Sequence, residues 1–298
     1  MTYDEIEGRI VRYADLRPCY NAFIDTRSPG SQAKENFTII GPGVAENPDQ
    51  FVHITEEHGF NIGGARQPPE CVNSQHSHNT AEVFVVHTGD WRFDLGEHGD
   101  DAQIVLYPGD VISIPTKIFR GFTNVGTDTG FLWAVLGGDD PGRVLWAPQV
   151  FEMAKDYGLV LLENGLLADT AAGDEIPPDV RPMPVTSRQQ VEALHRATPE
   201  EAQNLVVRDA PGDMAIIGPG APFDWPHGFT MDRIELAGER YLSDGAAVLF
   251  VQSGTVQIAG AAGSSALHPG DTMTVPAAFG DYSLHSESAV VFKVRRSA

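Results

Sequence analysis

Between Phe37 and Leu136 the apolar residues fall in short alternating runs: FTIIGPG, FVHI, FNIGGA, AEVFVVHTGDWRFDLG, QIVLYPGDVISIP and FLWAVLGG. Gly, Pro, Asp or Asn separates one run from the next. A period of two with turn residues at this spacing predicts an antiparallel all-β sandwich or barrel. The character changes after Pro141, where APQVFEMAKDYG, SRQQVEALHRA and TPEEAQNL carry helical spacing. Two of these open with start signals, Ser187 with Gln190 three residues on, and Thr198 followed by Pro199 and Glu201. In such pairs a hydroxyl and a carboxamide or carboxylate satisfy the free N–H groups of a first turn. Past Asn204 the strand pattern returns in MAIIG, MDRIEL, AAVLFVQSGTVQIAG, DTMTVP and AVVFKV. The pattern therefore predicts an N-terminal barrel over residues 1–140, a helical connector over 141–205 and a second barrel over 206–298.

The two β units echo one another. His58-Gly59-Phe60 returns as His227-Gly228-Phe229, VFVVHTGDWRF as VLFVQSGTVQI, and YPGDVISIP as HPGDTMTVP. Three echoes in one order point to an internal duplication. Between the first two echoes the second copy is shorter, and the missing residues fall where the first copy carries PECVNSQHSHNTAE. The second copy has lost its most polar segment.

That segment holds the candidate chemistry. Side chains at even spacing share one face of a strand, so His76, His78 and Glu82 are expected to meet inside the barrel, with Phe84 and Val86 along the same face. Two imidazoles and one carboxylate form a ligand set that suits Fe(II) first and Mn, Ni or Zn as alternatives, and it leaves positions open for a substrate. His87 has the opposite parity and is expected at the surface. Cys71 is read as a small buried thiol, and Trp91 and Trp133 as core or pocket walls.

The residues from His76 to Asn124 resemble the cupin superfamily, whose first motif is G-x5-H-x-H-x3-E-x6-G and whose second is G-x5-P-x-G-x2-H-x3-N. His76, His78, Glu82 and Gly89 match the first motif apart from its leading Gly, and Gly109, Pro115 and Asn124 match the second. With the duplication, the resemblance implies a bicupin, two jelly-roll barrels of the double-stranded β-helix type. The second motif supplies a fourth ligand, a His, and this chain has Arg120 there; Lys117 stands at the motif's second Gly. A guanidinium has no lone pair to give, so Arg120 cannot ligate. It is expected either to hold an acidic substrate beside a three-ligand metal, or to form an ion pair with Glu82 in a site that has lost its metal. In the second copy Tyr241 and Ser243 take the His positions, Ala247 the Glu position and Asp281 the position of Arg120, so no ligand set is expected there. His227, His268 and His285 are left as ordinary histidines. Bicupins with one working barrel resemble ring-cleaving dioxygenases of the gentisate and quercetin type. The resemblance thus implies a metal-dependent oxygenase of a small carboxylated or hydroxylated acid, with Glu82 and Arg120 in catalytic roles. A metal-assisted isomerase, lyase or decarboxylase and a non-catalytic binding protein are the alternatives. Association through barrel edges makes a homodimer the expected assembly.

Charge narrows the partners. With 41 acidic against 20 basic residues the net charge is −21, which repels nucleic acid and anionic lipid. The start has no basic-then-apolar signal pattern and no apolar stretch reaches the length of a membrane span, so a cytoplasmic protein is expected. Cys19 and Cys71, the only two cysteines, match no paired spacing, in keeping with a reducing compartment.

Overall fold

A computed structural model describes residues 3–243, 245–261 and 263–297, with side chains from residue 5 onward. The predicted all-β architecture is present. In the N-terminal barrel one sheet runs, in spatial order, through Val206–Val207, Val111–Ile114, Glu82–Thr88, Gly130–Gly137, Phe60–Gln67, Glu35–Ile40 and Val52–Ile54. The facing sheet runs through Leu145–Trp146, Val72–Ser77, Arg120–Asn124, Trp91–Leu95 and Ala102–Leu106. The C-terminal sheet orders Ile10–Val11, Thr272–Val275, Ala247–Ser253, Tyr282–Arg296, Phe229–Leu242 and Met214–Ile217. The hairpin of Val256–Gly260 and Gly263–Leu267 is attached to its long strand.

The echoed sequences fold alike. Glu82–Thr88 lies between Val111–Ile114 and Gly130–Gly137, and its counterpart Ala247–Ser253 lies between Thr272–Val275 and Tyr282–Arg296. The sheets cross the boundaries read from the sequence. Ile10–Val11 pairs with Thr272–Val275 of the second barrel, while Leu145–Trp146, at the start of the connector, and Val206–Val207, the first residues assigned to the second barrel, pair into the first. The connector's helices are Pro148–Asp156, Arg188–Glu192 and Pro199–Gln203, and both predicted capping boxes form. A small hairpin, Leu159–Leu161 with Leu167–Asp169, separates the first helix from the other two.

Strand parity divides the cores. Phe84 and Val86 join the interior of the first barrel with Trp91, Phe93 and Phe122. Val83 and Val85, on the opposite face, pack with Met231, Val248, Phe250 and Phe292 of the second barrel. The barrels are thus joined back to back by an apolar layer in which Trp133 stacks on Phe250 at 4.7 Å between ring centroids. This layer corrects the expectation for His87. It does point out of its own barrel, but the second barrel covers that face, and the ring is buried 5.3 Å from that of Phe250.

Candidate metal centre

His76 is the last residue but one of the strand Val72–Ser77, His78 follows the strand, and Glu82 opens the next one after a short turn. The three side chains are buried, and their ligand atoms all lie within 4.8 Å of one another. Each is prepared differently. The Nδ1–H of His76 donates to the carbonyl of Ser74 at 2.7 Å, which leaves the Nε2 lone pair for a ligand role. The Ser74 N–H in turn donates to Asp25 at 2.9 Å, and Asp25 is ion-paired with the fully buried Lys34. A loop remote in sequence thereby fixes the strand that carries His76. Nδ1 of His78 has no partner among protein atoms, and its Nε2 lies 3.6 Å from Glu82. Burial, and after it the nearby Arg120 charge, holds both imidazoles well below their ordinary pKa, so they are neutral, as metal ligands must be. The residues present therefore fit a divalent metal.

Arg120 opens the strand Arg120–Asn124 directly across from His76. Its Nη2 donates to Glu82 Oε2 at 2.5 Å and its Nη1 to the His76 carbonyl at 3.4 Å. At 1% exposure it is one of the most deeply buried large side chains. Burial pushes the Glu82 carboxyl up and the Arg120 guanidinium down, and their contact opposes both shifts. Of the two expectations for Arg120 the structure shows the ion pair with Glu82, made by one Nη, and Arg120 does not line the cavity beside the ligands.

That cavity, about 700 Å³ of empty space including its open mouth, is walled by aromatic rings of Phe23, Phe37, Phe84, Phe122 and Trp146, and its lining contains no Arg or Lys. Trp146 sits across from His76 in register, with ring centroids 5.2 Å apart. The hollow follows from the strand rows. Gly63 lies opposite Ala134, and Ala134 opposite Phe84, so two neighbouring positions on the barrel wall carry almost no side chain. The wall also hides a carboxyl. Glu46 accepts from the Ile24 N–H at 2.8 Å and from Trp146 Nε1 at 2.6 Å, and burial pushes its pKa up to about 8.

No family model matches the sequence, and no curated protein matches it either. Solved structures do. The Lactobacillus farciminis oxalate decarboxylase, solved as a formate complex, is 10% identical with a TM-score of 0.55, the match covering 97% of this chain and 86% of that one. A mutant of the Bacillus subtilis oxalate decarboxylase is 9% identical with a TM-score of 0.53, covering 97% and 77%. Procruciferin, the 11S globulin of Brassica napus, is 13% identical with a TM-score of 0.52, covering 89% and 81%. The fold is that of a two-barrel cupin. Identity at this level shows fold alone, and the neighbours include both an enzyme and a globulin.

Glu70 and Lys117 stand where the motifs that the sequence resembles have glycine, and they are the only non-glycine residues with positive φ among those described, at 62° and 67°. Of the remaining sequence candidates, Cys71 is a buried free thiol whose pKa burial raises. Trp91 and Trp133 are core residues. In the second barrel Tyr241 is 76% exposed and Ala247 holds the register position of Glu82. The cluster His76, His78, Glu82 is the one potential metal group among the described residues. Trp146, Asp25, Lys34 and Glu46 were not singled out in the sequence, because none lies at a spacing that ties it to the histidines. Among the described residues no helix is long and apolar enough to cross a membrane.

Proposed function

We propose that the N-terminal barrel is a metal-dependent enzyme site, with His76, His78 and Glu82 as ligands, and that the C-terminal barrel is its structural partner. The carrying observation is the convergence of three buried donors, two neutral imidazoles and a carboxyl, at the wall of an aromatic cavity. A divalent ion there, Fe(II) by preference with Mn, Ni or Zn as alternatives, would supply Lewis acidity and, if iron, one-electron chemistry with oxygen. Arg120 keeps a charged partner on Glu82 inside an apolar site. The aromatic walls exclude water and take up a flat or apolar body. With no cation in the lining, an acidic or hydroxylated substrate is held through its oxygen atoms at the ligand end. An oxygenase acting on such a compound is the finer reading. Proton transfer by Glu82 in an isomerase, lyase or decarboxylase is its competitor, supported by the upward pressure of burial on that carboxyl.

The Arg120–Glu82 contact favours a second reading, a metal-free barrel that binds a ligand without turning it over. Elemental analysis of protein purified without added ions separates the two. One metal per chain is expected, falling to a small fraction in His76→Ala or His78→Ala with the fold intact, since loss of a ligand costs affinity of at least the order of 100-fold. Metal retained in the double variant, or two ions per chain in wild type, would refute the assignment. Oxygen consumption against a survey of aromatic acids then decides between oxygenase and proton transfer.

A further inference from the structure

The cavity does not end at the ligands. Along the strand Phe60–Gln67, Asn61 is in register with Leu136 and hence with Glu82, Gly63 with Ala134 and Phe84, and Ala65 with Leu132 and Val86. Asn36 pairs with Ala65 from the other side and lines the same cavity. Four residues of strand separate the row of Glu82 from the row of Asn36, roughly 13 Å at the usual rise. The rows between are hollow because Gly63, Ala134 and Ala65 are small.

Asn36 is 8% exposed, and its Nδ2 finds no acceptor among the described residues. Two other amides line the cavity, and Asn61 has both of its ends paired. Asn61 accepts from the Gly43 N–H and donates to the Gly138 carbonyl, and Asn73 accepts from Gln67. A buried donor without a partner forfeits its hydration for nothing, so a native structure keeps one where something else pairs with it.

Resting on the metal-site reading, we infer that Asn36 is a specificity residue at the far end of the cavity, donating to an acceptor oxygen of an elongated ligand. Such a ligand has oxygen donors at one end for the His76, His78 and Glu82 group. Its apolar middle lies over Gly63 and Ala134, and a carbonyl, ether or carboxylate oxygen stands roughly 10 Å away at the other end. A site built around an unpaired donor rejects an isosteric compound that lacks the acceptor.

The test uses full-length metal-loaded protein and two probes of one shape, 4-(3,4-dihydroxyphenyl)butan-2-one and 4-butylcatechol, read by quenching of tryptophan fluorescence. Wild type is expected to bind the ketone about three- to tenfold tighter, the range of one neutral hydrogen bond. Asn36→Leu should erase that preference and leave the alkyl probe bound as tightly as before. Asn36→Asp, which presents acceptors to an acceptor, should bind the ketone more weakly than the alkyl probe. Thermal unfolding of each variant confirms that it is folded. An undiminished preference in Asn36→Leu, or none in wild type, would overturn the inference. So would failure of both probes to bind. Metal analysis of the same samples then shows whether the metal site has failed as well, or this inference alone.

Discussion

The two barrels share strand order and register, and they differ most in what fills one row of the wall. In the first barrel the row is Gly63, Ala134 and Phe84; in the second the same register positions hold Asp232, Lys293 and Leu249. Where the first barrel leaves space, the second places an ion pair, Lys293 to Asp232 at 3.7 Å. Its remaining interior is closed by Ile234, Leu236, Val251, Val291 and Leu284. A site on this fold thus needs a ligand set, which the C-terminal copy lacks among its described residues, and an apolar hollow beside it, where that copy has instead a polar one lined by Asp232, Arg233 and Lys293.

The first barrel also carries polar groups that cost stability, and removing them is the sharpest way to test the contrast. Arg120→Ala has the largest expected effect. It leaves Glu82 buried without its cation, at a cost of about 3–5 kcal/mol in chemical denaturation of metal-free protein. Added metal should recover part of that loss, because an ion bound by His76, His78 and Glu82 replaces the missing positive charge. If metal binds only to the variant and never to wild type, the metal-free reading stands and the enzyme reading falls.

Glu46 is a buried carboxyl of the first barrel. Its folded pKa of about 8 lies above the ordinary carboxylate value, so the folded state holds a proton that the unfolded chain has released. The contribution is fully present below about pH 4.5 and is lost as pH rises from there to about 8, at up to about 1.4 kcal/mol per pH unit. Glu46→Gln cannot ionise. The stability of the variant minus that of wild type is expected to be flat below pH 4.5 and to climb between there and pH 8. A pH-independent difference would place Glu46 as an ionised group. Ala134→Leu makes the first barrel resemble the second by filling the hollow. It should cost about 1–3 kcal/mol by overpacking, and abolish binding of either catechol probe while metal content stays unchanged.

Much of this was legible in the sequence. Period-two runs gave the strands and the echoes gave the duplication. Even spacing singled out His76, His78 and Glu82, but the one strand face it assumed is absent. A turn at residues 78–81 parts the strand of His76 from that of Glu82 in the facing sheet, and it is barrel closure that brings the three together. What was not legible depends on contacts between remote segments. Parity told that His87 leaves its own barrel but not that another sheet covers it. Charge and motif position put Arg120 at the site, yet whether its fork meets a substrate or Glu82 depends on the length of a turn and the packing behind it. Gly63 and Ala134 read as ordinary small residues until their register shows them side by side, and the Asp25–Ser74–His76 chain joins a loop to a strand almost fifty residues later. Strand composition is local, whereas cavities and buried polar chains are properties of the closed barrel.

The smallest expected effect concerns a turn. After Pro115 the first barrel passes through Lys117 at φ 67°, whereas after Pro276 the second makes a short 3-10 helix, Ala277–Phe279, and gives the left-handed position to Gly280 at φ 73°. A Cβ in that region costs about 1–2 kcal/mol, which the second barrel avoids and the first does not. Lys117 also offers its carbonyl to the His195 N–H at 2.7 Å, tying the connector to the turn that leads into Arg120. Glycine keeps this bond and removes the strain, though the unfolded chain gains freedom that offsets part of the benefit. Lys117→Gly is therefore expected to raise stability by up to about 1 kcal/mol, read as a rise of a few degrees in Tm, with metal content unchanged. A fall in Tm would mean that the Lys117 side chain itself stabilises the barrel mouth, and that the strained backbone is held for a reason the glycine of the second barrel does not share.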